Sequence, residues 1–335
     1  MTLGGVRVAA GLYTPLLIGT EISSTHATFG ALAGLATSFL WACTSVLFTE
    51  AGSRIGPTRV NLFRLVVALV LHAVTWAILM GTPWPMLAWS QLILLALSGL
   101  IGFSICDQAM LVAMLDIGPR RALLIMTTAP IFALGFGWAA LGESPGVWSL
   151  LGVALTLAGV VWVTLGRQGS ATGPAWTAVD RSRLRRGVGL AVFAAACQAA
   201  GFMLSKKGMG HGVADAIPLE PQGATLVRVF FGMLGVLPIL IWNARGRGLE
   251  RPRDARRGYT LAAAGACTGP FLGVWCSLIA VDRVPVGVAQ TLCGLAPVVI
   301  LPLAWAVWRE HVSPRAIVGA LIAVGGSTLL VLTAR

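Results

Sequence analysis

Charged side chains are scarce in this sequence: they make up 11% of its 335 residues, whereas apolar side chains make up 57%. A soluble protein of this length could not bury so much apolar surface in one or two cores. The charges that do occur form arginine clusters between long apolar runs, which is the pattern of a polytopic membrane protein. The net charge of +12 does not indicate a nucleic-acid partner, because no basic module stands apart from the apolar runs.

The sequence also lacks the clustered side chains of a metal site or a hydrolytic centre. Its four histidines are scattered, and none has a partner at ligand spacing. The six cysteines lie in apolar runs without a Cys-x-x-Cys pair, so we expect small membrane-buried residues rather than a disulfide or a metal site. No catalytic residue, cofactor or metal is therefore predicted. A membrane-embedded enzyme, a channel and a sensor are alternatives that the composition leaves open.

Ten apolar runs are long enough to cross a bilayer, since a helical span needs about 20 mainly apolar residues. Turn-forming stretches such as GTPWP (81–85) and GESPG (142–146) separate them. The longest polar stretch, at 166–186, divides the runs into five and five. The predicted spans cover residues 29–49, 60–80, 89–112, 121–141, 147–166, 187–205, 224–243, 259–281, 286–308 and 315–333.

One fifteen-residue pattern occurs twice, at an offset of 167 residues. The stretches APIFALGFGWAALGE (129–143) and APVVILPLAWAVWRE (296–310) share Ala, Pro, Leu, Trp, Ala and Glu in register. Arg64 and Arg228 each open the second span of their half. The chain is therefore interpreted as two copies of a five-helix unit. Because five is odd, the second copy enters the membrane inverted.

The predicted fold is an all-α polytopic membrane protein with ten transmembrane helices in two inverted five-helix repeats. Alternate loops carry 17 of the 24 lysines and arginines, and the opposite face carries 5. The positive-inside rule then places the arginine-rich loops in the cytoplasm and both termini outside. The expected domains are an interfacial or disordered leader at 1–28, the first repeat at 29–167, a basic linker at 168–186 and the second repeat at 187–335.

These features resemble the EamA-type ten-helix carriers of the drug/metabolite transporter superfamily. The resemblance covers about residues 28–334 and is carried by the paired AP…GE and AP…RE segments, by WACTSVLFTEAG (41–52) and by GFSICDQAMLVAMLDIGPRRALLIMTTAP (102–130). It implies alternating-access movement of a small metabolite or drug-like solute, amino acids included, across the cell inner membrane, often as export. The sequence departs from the family in its long loop at 206–223 and in the outside location predicted for its termini.

Polar and aromatic side chains inside the spans are the candidate substrate-binding residues, because polar groups are costly in lipid unless they face protein or a wet cavity. The structural alternatives are interhelical hydrogen bonds for the polar residues, and packing or interfacial anchoring for the tryptophans. The candidates are Asp107, Gln108, Gln198, Gln290, Trp41 and Trp275.

Two prolines and two arginines have open interpretations. Pro130 and Pro297 occupy equivalent positions and are either paired hinges beside the cavity or static kinks. Arg64 and Arg228 either extend to lipid head groups or form an internal ion pair or a contact to an anionic substrate.

Glu143 and Glu310 each precede the last helix of a copy, and we expect them to cap it. The expected partners are a small-molecule substrate and the lipid bilayer, with the proton as a candidate coupling ion. A monomer and a homodimer are both compatible with the sequence.

Overall fold

The computed structural model describes residues 21–117, 119–165, 181–247, 254–296, 298, 299 and 314–333, and all regular secondary structure within those ranges is helical. Seven helical stretches there are long and apolar enough to cross a membrane, and two shorter apolar helices cover Val147–Trp162 and Ile317–Thr333. The helices are α1 (Glu21–Ile55), α2 (Pro57–Met80), α3 (Trp89–Ile117), α4 (Pro119–Met126), α5 (Ala129–Leu141), α6 (Val147–Leu165), α7 (Arg181–Gly208), α8 (Pro221–Arg247), α9 (Ala255–Arg283), α10 (Val286–Cys293) and α11 (Pro314–Thr333).

The described helices coincide with the predicted spans, with three differences. The fourth span is broken into α4 and α5, and the ninth is described mainly over α10. The third difference is that α7 begins at Arg181, inside the stretch expected to be a linker. Its first turns are held because Arg186 donates to both carboxylate oxygens of Asp116, over 2.7 and 2.6 Å. The architecture is therefore all-helical and multi-span.

Helix interruptions recur at the offset found in the sequence. The π-helical segments Leu100–Cys106 in α3 and Cys267–Gly273 in α9 lie 167 residues apart. The breaks at Thr127–Thr128 and Gly294–Leu295, and the first residues of α6 and α11, have the same separation. The two copies thus share local backbone structure as well as sequence pattern.

The two copies interleave rather than forming separate bundles. Helix α1 packs on α9, and the equivalent helices α7 and α3 pack on each other. Helices α2 and α8 form one pair of equivalents, and α6 and α11 form another. The α6–α11 pair is antiparallel, because Ser149 of α6 contacts Thr333 (3.2 Å) while Gly159 approaches Ala323. The core is therefore shared between the copies.

Equivalent glycines allow α6 and α11 to approach closely. A Cβ on Gly159 would lie 2.4 Å from the backbone nitrogen of Ala323, and one on Gly326 would lie 2.5 Å from that of Thr156. A side chain at either position would therefore require the two helices to move apart. Small residues have this role in transmembrane helix packing, where lipid offers no competing hydrophobic drive.

Candidate functional site

A cavity of about 190 Å³ lies between the two copies. Helices α1 to α4 of the first copy and α7 to α10 of the second contribute to its wall. Its wall is mainly apolar with a few polar groups, which is the composition of small-molecule sites. The larger apolar side chains of the wall are Trp41, Phe48, Phe103, Phe202, Met110, Met114 and Met126.

Most residues of the wall occur as equivalent pairs, one from each copy. Arg64 and Arg228 are each the eighth residue of their helix, α2 or α8. Trp41 of α1 corresponds to Gln198 of α7, where the two helices are aligned through Gly30 and Gly187. At the 167-residue offset the pairs are Gly102 with Gly269, Phe103 with Pro270, Asp107 with Val274, Leu123 with Gln290, Met126 with Cys293, and Thr127 with Gly294.

The two π-helical segments bring backbone into the wall. Pro270 lacks an N–H and so interrupts the hydrogen-bond ladder of α9. Its carbonyl accepts a hydrogen bond from His72 Nε2 (3.1 Å), and the carbonyl of the equivalent Phe103 accepts from Asn61 Nδ2 (3.1 Å). Both donors belong to α2. Sequence reasoning did not assign these roles to His72 and Asn61, because the freed carbonyls become apparent only with the backbone.

Asp107 begins the helical part of α3 that follows the π segment, and it forms an ion pair with Arg64 inside the protein. Arg64 also donates from Nε and Nη2 to the Asn61 side-chain oxygen, over 3.0 and 2.8 Å. Its guanidinium lies 5.1 Å from the centre of the Phe48 ring. Arg64 is only 7% exposed. The interpretation in which it extends to head groups is therefore wrong, and the internal ion pair is confirmed.

Arg228 is also buried, at 3% exposure, and is less fully bonded. Its Nε donates to Ser98 Oγ over 2.8 Å, and its guanidinium lies 5.1 Å from the centre of the Phe103 ring. Its Nη1 is buried without a hydrogen-bond partner among the residues that the structure describes. The position equivalent to Asp107 is Val274, so α9 supplies no carboxylate to match it.

Four of the six predicted binding residues line the cavity, and two do not. Gln108 Nε2 donates to Thr58 Oγ1 (3.1 Å), and the Trp275 ring packs on Phe271 with 6.2 Å between centroids. Each follows a residue that does face the cavity, and consecutive helical residues point in directions about 100° apart. The four on the wall are Asp107, Gln198, Gln290 and Trp41.

The hinge prediction falls partly outside the described residues, where Pro297 lies. Pro130 is buried in the first turn of α5. Backbone N–H groups in a first turn have no partner within the helix, so the missing N–H of proline costs no hydrogen bond there. The break in the helix precedes it, at Thr127–Thr128, and Thr127 lines the cavity together with its equivalent Gly294. The irregular backbone beside the cavity is thus the break rather than the proline.

The cavity is asymmetric along its length. Its wall includes three residues toward the C-terminal end of α3: Met110, Leu111 and Met114. Their equivalents on α9 are fully buried at 0% exposure: Ser277, Leu278 and Val281. We call the C-terminal end of α3 the open end and the C-terminal end of α9 the closed end.

A three-helix latch formed by Glu143, Lys206 and the start of α10 secures the closed end. Glu143 Oε1 accepts from Lys206 Nζ (2.7 Å), and its Oε2 accepts from the backbone N–H of Val286 (2.8 Å). Lys206 Nζ also donates to the Val284 carbonyl over 2.8 Å. The expectation that Glu143 caps the last helix of its own copy is therefore wrong. The left-handed Gly142 (φ 66°) turns the chain so that the carboxylate points to the other copy. Its equivalent Glu310 lies outside the described residues.

With this geometry in place, the comparisons with known proteins are decisive for the family. Residues 28–165 and 185–332 each match the EamA-like transporter family. The chain belongs to that family. The two matches coincide with the two copies, so the protein is a multi-pass membrane protein built from two EamA repeats.

Comparisons with individual proteins give evidence for the fold only. No curated protein matches the sequence. One crystal structure of a protein superposes with a TM-score of 0.69 at 17% identity, covering 91% of this chain and 97% of the other. Within the described ranges, no three His, Cys, Asp or Glu side chains are grouped as they are around a metal ion.

Proposed function

We propose that the protein is a secondary transporter that exports a small organic solute across the inner membrane by alternating access. The observation that supports it best is a cavity that is lined by equivalent residues of the two copies and extends toward the C-terminal end of α3 but not toward that of α9. In repeat-built transporters the substrate lies between the repeats, and exposure alternates when the repeats exchange conformations. In the exchanged state, Val281 would face the cavity and Met114 would be buried.

The membrane arrangement that fits this function is ten spans in two inverted copies. The antiparallel packing of the equivalent helices α6 and α11 supports inversion.

The substrate contacts proposed are the four predicted residues on the wall, Asp107, Gln198, Gln290 and Trp41. Asp107 is also the candidate proton site, since it is the carboxylate among the described wall residues. Gln108 and Trp275 would act through helix packing. Gln108 supports the site indirectly, because its side-chain oxygen accepts from Asn61 Nδ2 (3.5 Å).

Counterflow in proteoliposomes tests this proposal with two matched aspartates of α3. Asp107→Asn should lower saturable flux at least about tenfold, because the ion pair with Arg64 is lost, or remove the dependence of flux on pH between about pH 5 and pH 8, because the titratable carboxyl group is gone. Asp116→Asn, whose partner Arg186 lies outside the cavity wall, should leave transport intact. Normal transport by Asp107→Asn, with Asp107→Leu lowering only expression, would make Asp107 structural. Ungated conductance in the same liposomes would indicate a channel.

The arginine distribution assigns a side to the open end. α3 ends just before Arg120 and Arg121 of α4, and Arg186 of α7 binds Asp116 near that end. The positive-inside rule places that end in the cytoplasm, so the described conformation would face inward. The same rule puts the C-terminus after Ala334 in the periplasm. A C-terminal reporter that is active only in the cytoplasm would contradict this orientation.

A further inference from the structure

Among the residues that the structure describes, the cavity wall carries one more cation than anion. Its charged members within the described ranges are Arg64, Arg228 and Asp107. Arg64 and Asp107 neutralise each other through their ion pair. Arginine stays protonated in proteins, so Arg228 retains its charge. Where an acid could have matched it, the second copy has Val274.

The hydrogen-bonding capacity of Arg228 is only partly used. A guanidinium presents five N–H donors, and here Nε meets Ser98 while the ring of Phe103 lies under the plane. Nη1 has no partner among the described residues although it is buried. A buried cation with an unmade hydrogen bond is expensive to maintain, so a ligand that supplies the acceptor is favoured. The planar fork of arginine matches a carboxylate.

The other residues of the cavity wall indicate the chemistry of the uncharged part of the ligand. Trp41, Phe202 and the neighbouring methionines suit an apolar or aromatic group. Gln290 Oε1 is a second buried atom without a partner, and it can accept one hydroxyl or N–H from the ligand. A ligand ammonium would find no free carboxylate among the described wall residues, because Asp107 is already engaged by Arg64.

We infer that the solute bound in this cavity is an apolar monocarboxylate with a net negative charge, held by a charge-assisted hydrogen bond from Arg228. The inference rests on the proposed function only in taking the cavity as the transport site. It narrows the solutes allowed by family membership from any small metabolite to organic anions, with zwitterions and cations disfavoured.

A charge series on the purified full-length protein tests the inference. Phenylacetate, phenylacetamide and phenethylamine have similar bodies and differ in charge, and phenylalanine adds the zwitterion. Calorimetric titration and thermal shift in detergent should rank phenylacetate first, about tenfold or more tighter than the amide and the amine, because a bond to an ionised acceptor is roughly twice as strong as a neutral one. Equal binding of the amide, or no binding of phenylacetate, would overturn the inference.

Two arginine substitutions locate the effect. Arg228→Gln should remove the preference for phenylacetate over phenylacetamide, and Arg228→Lys should restore part of it through charge alone. Arg283→Gln is the matched control, because Arg283 also lies over a phenylalanine ring (Phe29, 4.5 Å) but outside the cavity wall. If Arg228→Gln keeps the preference, Arg228 is not the binding group. If Arg228→Gln fails to fold, the order of ligand affinities measured on the unaltered protein still tests the inference.

Flux measurements separate this inference from the transporter proposal. Saturable transport of a neutral or cationic solute, with no carboxylate preference, would refute the charge assignment and leave the carrier function standing. Phenylacetate binding that depends on Arg228, without flux of any tested solute, would refute transport and leave the anion site standing.

Discussion

The two copies of the EamA repeat differ most informatively at one position of the shared cavity. In the first copy, α3 contributes Asp107, which pairs with Arg64. In the second, α9 has Val274 at the equivalent place, and Arg228 is left with a buried Nη1 that has no partner in the described structure. The duplicated scaffold thus produces a paired wall, and a single difference between the copies gives that wall its charge.

A second difference concerns conformation rather than sequence. The C-terminal part of α3 lines the cavity, whereas the equivalent part of α9 is buried in helix packing. The same helical unit therefore occupies two environments in one molecule. This shows which contacts each copy would exchange if the cavity opened at its other end.

Placing an acidic residue at position 274, where the second copy lacks one, should have the largest effect of the three changes considered. Val274→Asp is expected to weaken phenylacetate binding about a hundredfold, because the new carboxylate would neutralise Arg228 and repel the ligand. Val274→Asn is the control of matching shape without charge and should retain most of the affinity. Both are measured by calorimetric titration. Equal losses in the two variants would attribute the effect to packing rather than to charge.

Breaking the latch at the closed end should have an intermediate effect. Glu143→Gln leaves Lys206 with little exposure and no carboxylate partner, which should lower the free energy of unfolding by about 2 kcal/mol. The side chains are 10% and 14% exposed, so the loss should fall short of a fully buried pair. Thermal unfolding in detergent measures it.

The exposed pair of Glu50 with Arg54 provides the control for the latch. Glu50→Gln should change stability by less than about 0.5 kcal/mol, because surface ion pairs contribute little. If both substitutions had the same small effect, Glu143 and Lys206 would not hold the closed end.

Crowding the α6–α11 contact should have the smallest effect. Gly326→Ala places a methyl group 2.5 Å from the Thr156 backbone nitrogen and should cost about 1 to 2 kcal/mol in stability. Gly325→Ala is the control, since a Cβ there meets no atom within 4 Å. Thermal unfolding of the two variants compares them directly. A Gly325→Ala variant as unstable as Gly326→Ala would mean that close helix approach is not the cause.

The sequence predicted the repeat well because helix breaks and small residues follow local rules. The 167-residue offset read from the sequence recurs in the π segments and in the breaks before Pro130 and at Gly294, although the sequence predicted neither feature. Family membership was predicted on the same grounds and is confirmed.

The candidate site was predicted less completely. The direction in which a side chain points depends on the rotation of its helix, and the apolar pattern does not fix that rotation. Asp107 and Gln108 are adjacent and both polar, yet only Asp107 lines the cavity. The sequence does not show whether an arginine near the start of a span reaches lipid head groups or the protein interior. Both interpretations of Arg64 and Arg228 were therefore compatible with the sequence. The partner of Glu143 lies in the other copy, which no local pattern indicates.

Alternating exposure of the cavity is most directly tested by comparing two equivalent cysteines, Met114→Cys at the open end and Val281→Cys at the closed end, each in a cysteine-free background. Labelling by a membrane-impermeant maleimide should be fast at position 114 and slow at 281 in the resting protein. During solute turnover in proteoliposomes, labelling should slow at 114 and accelerate at 281. Position 281 remaining unlabelled under every condition, or both positions labelling together at all times, would contradict alternating access.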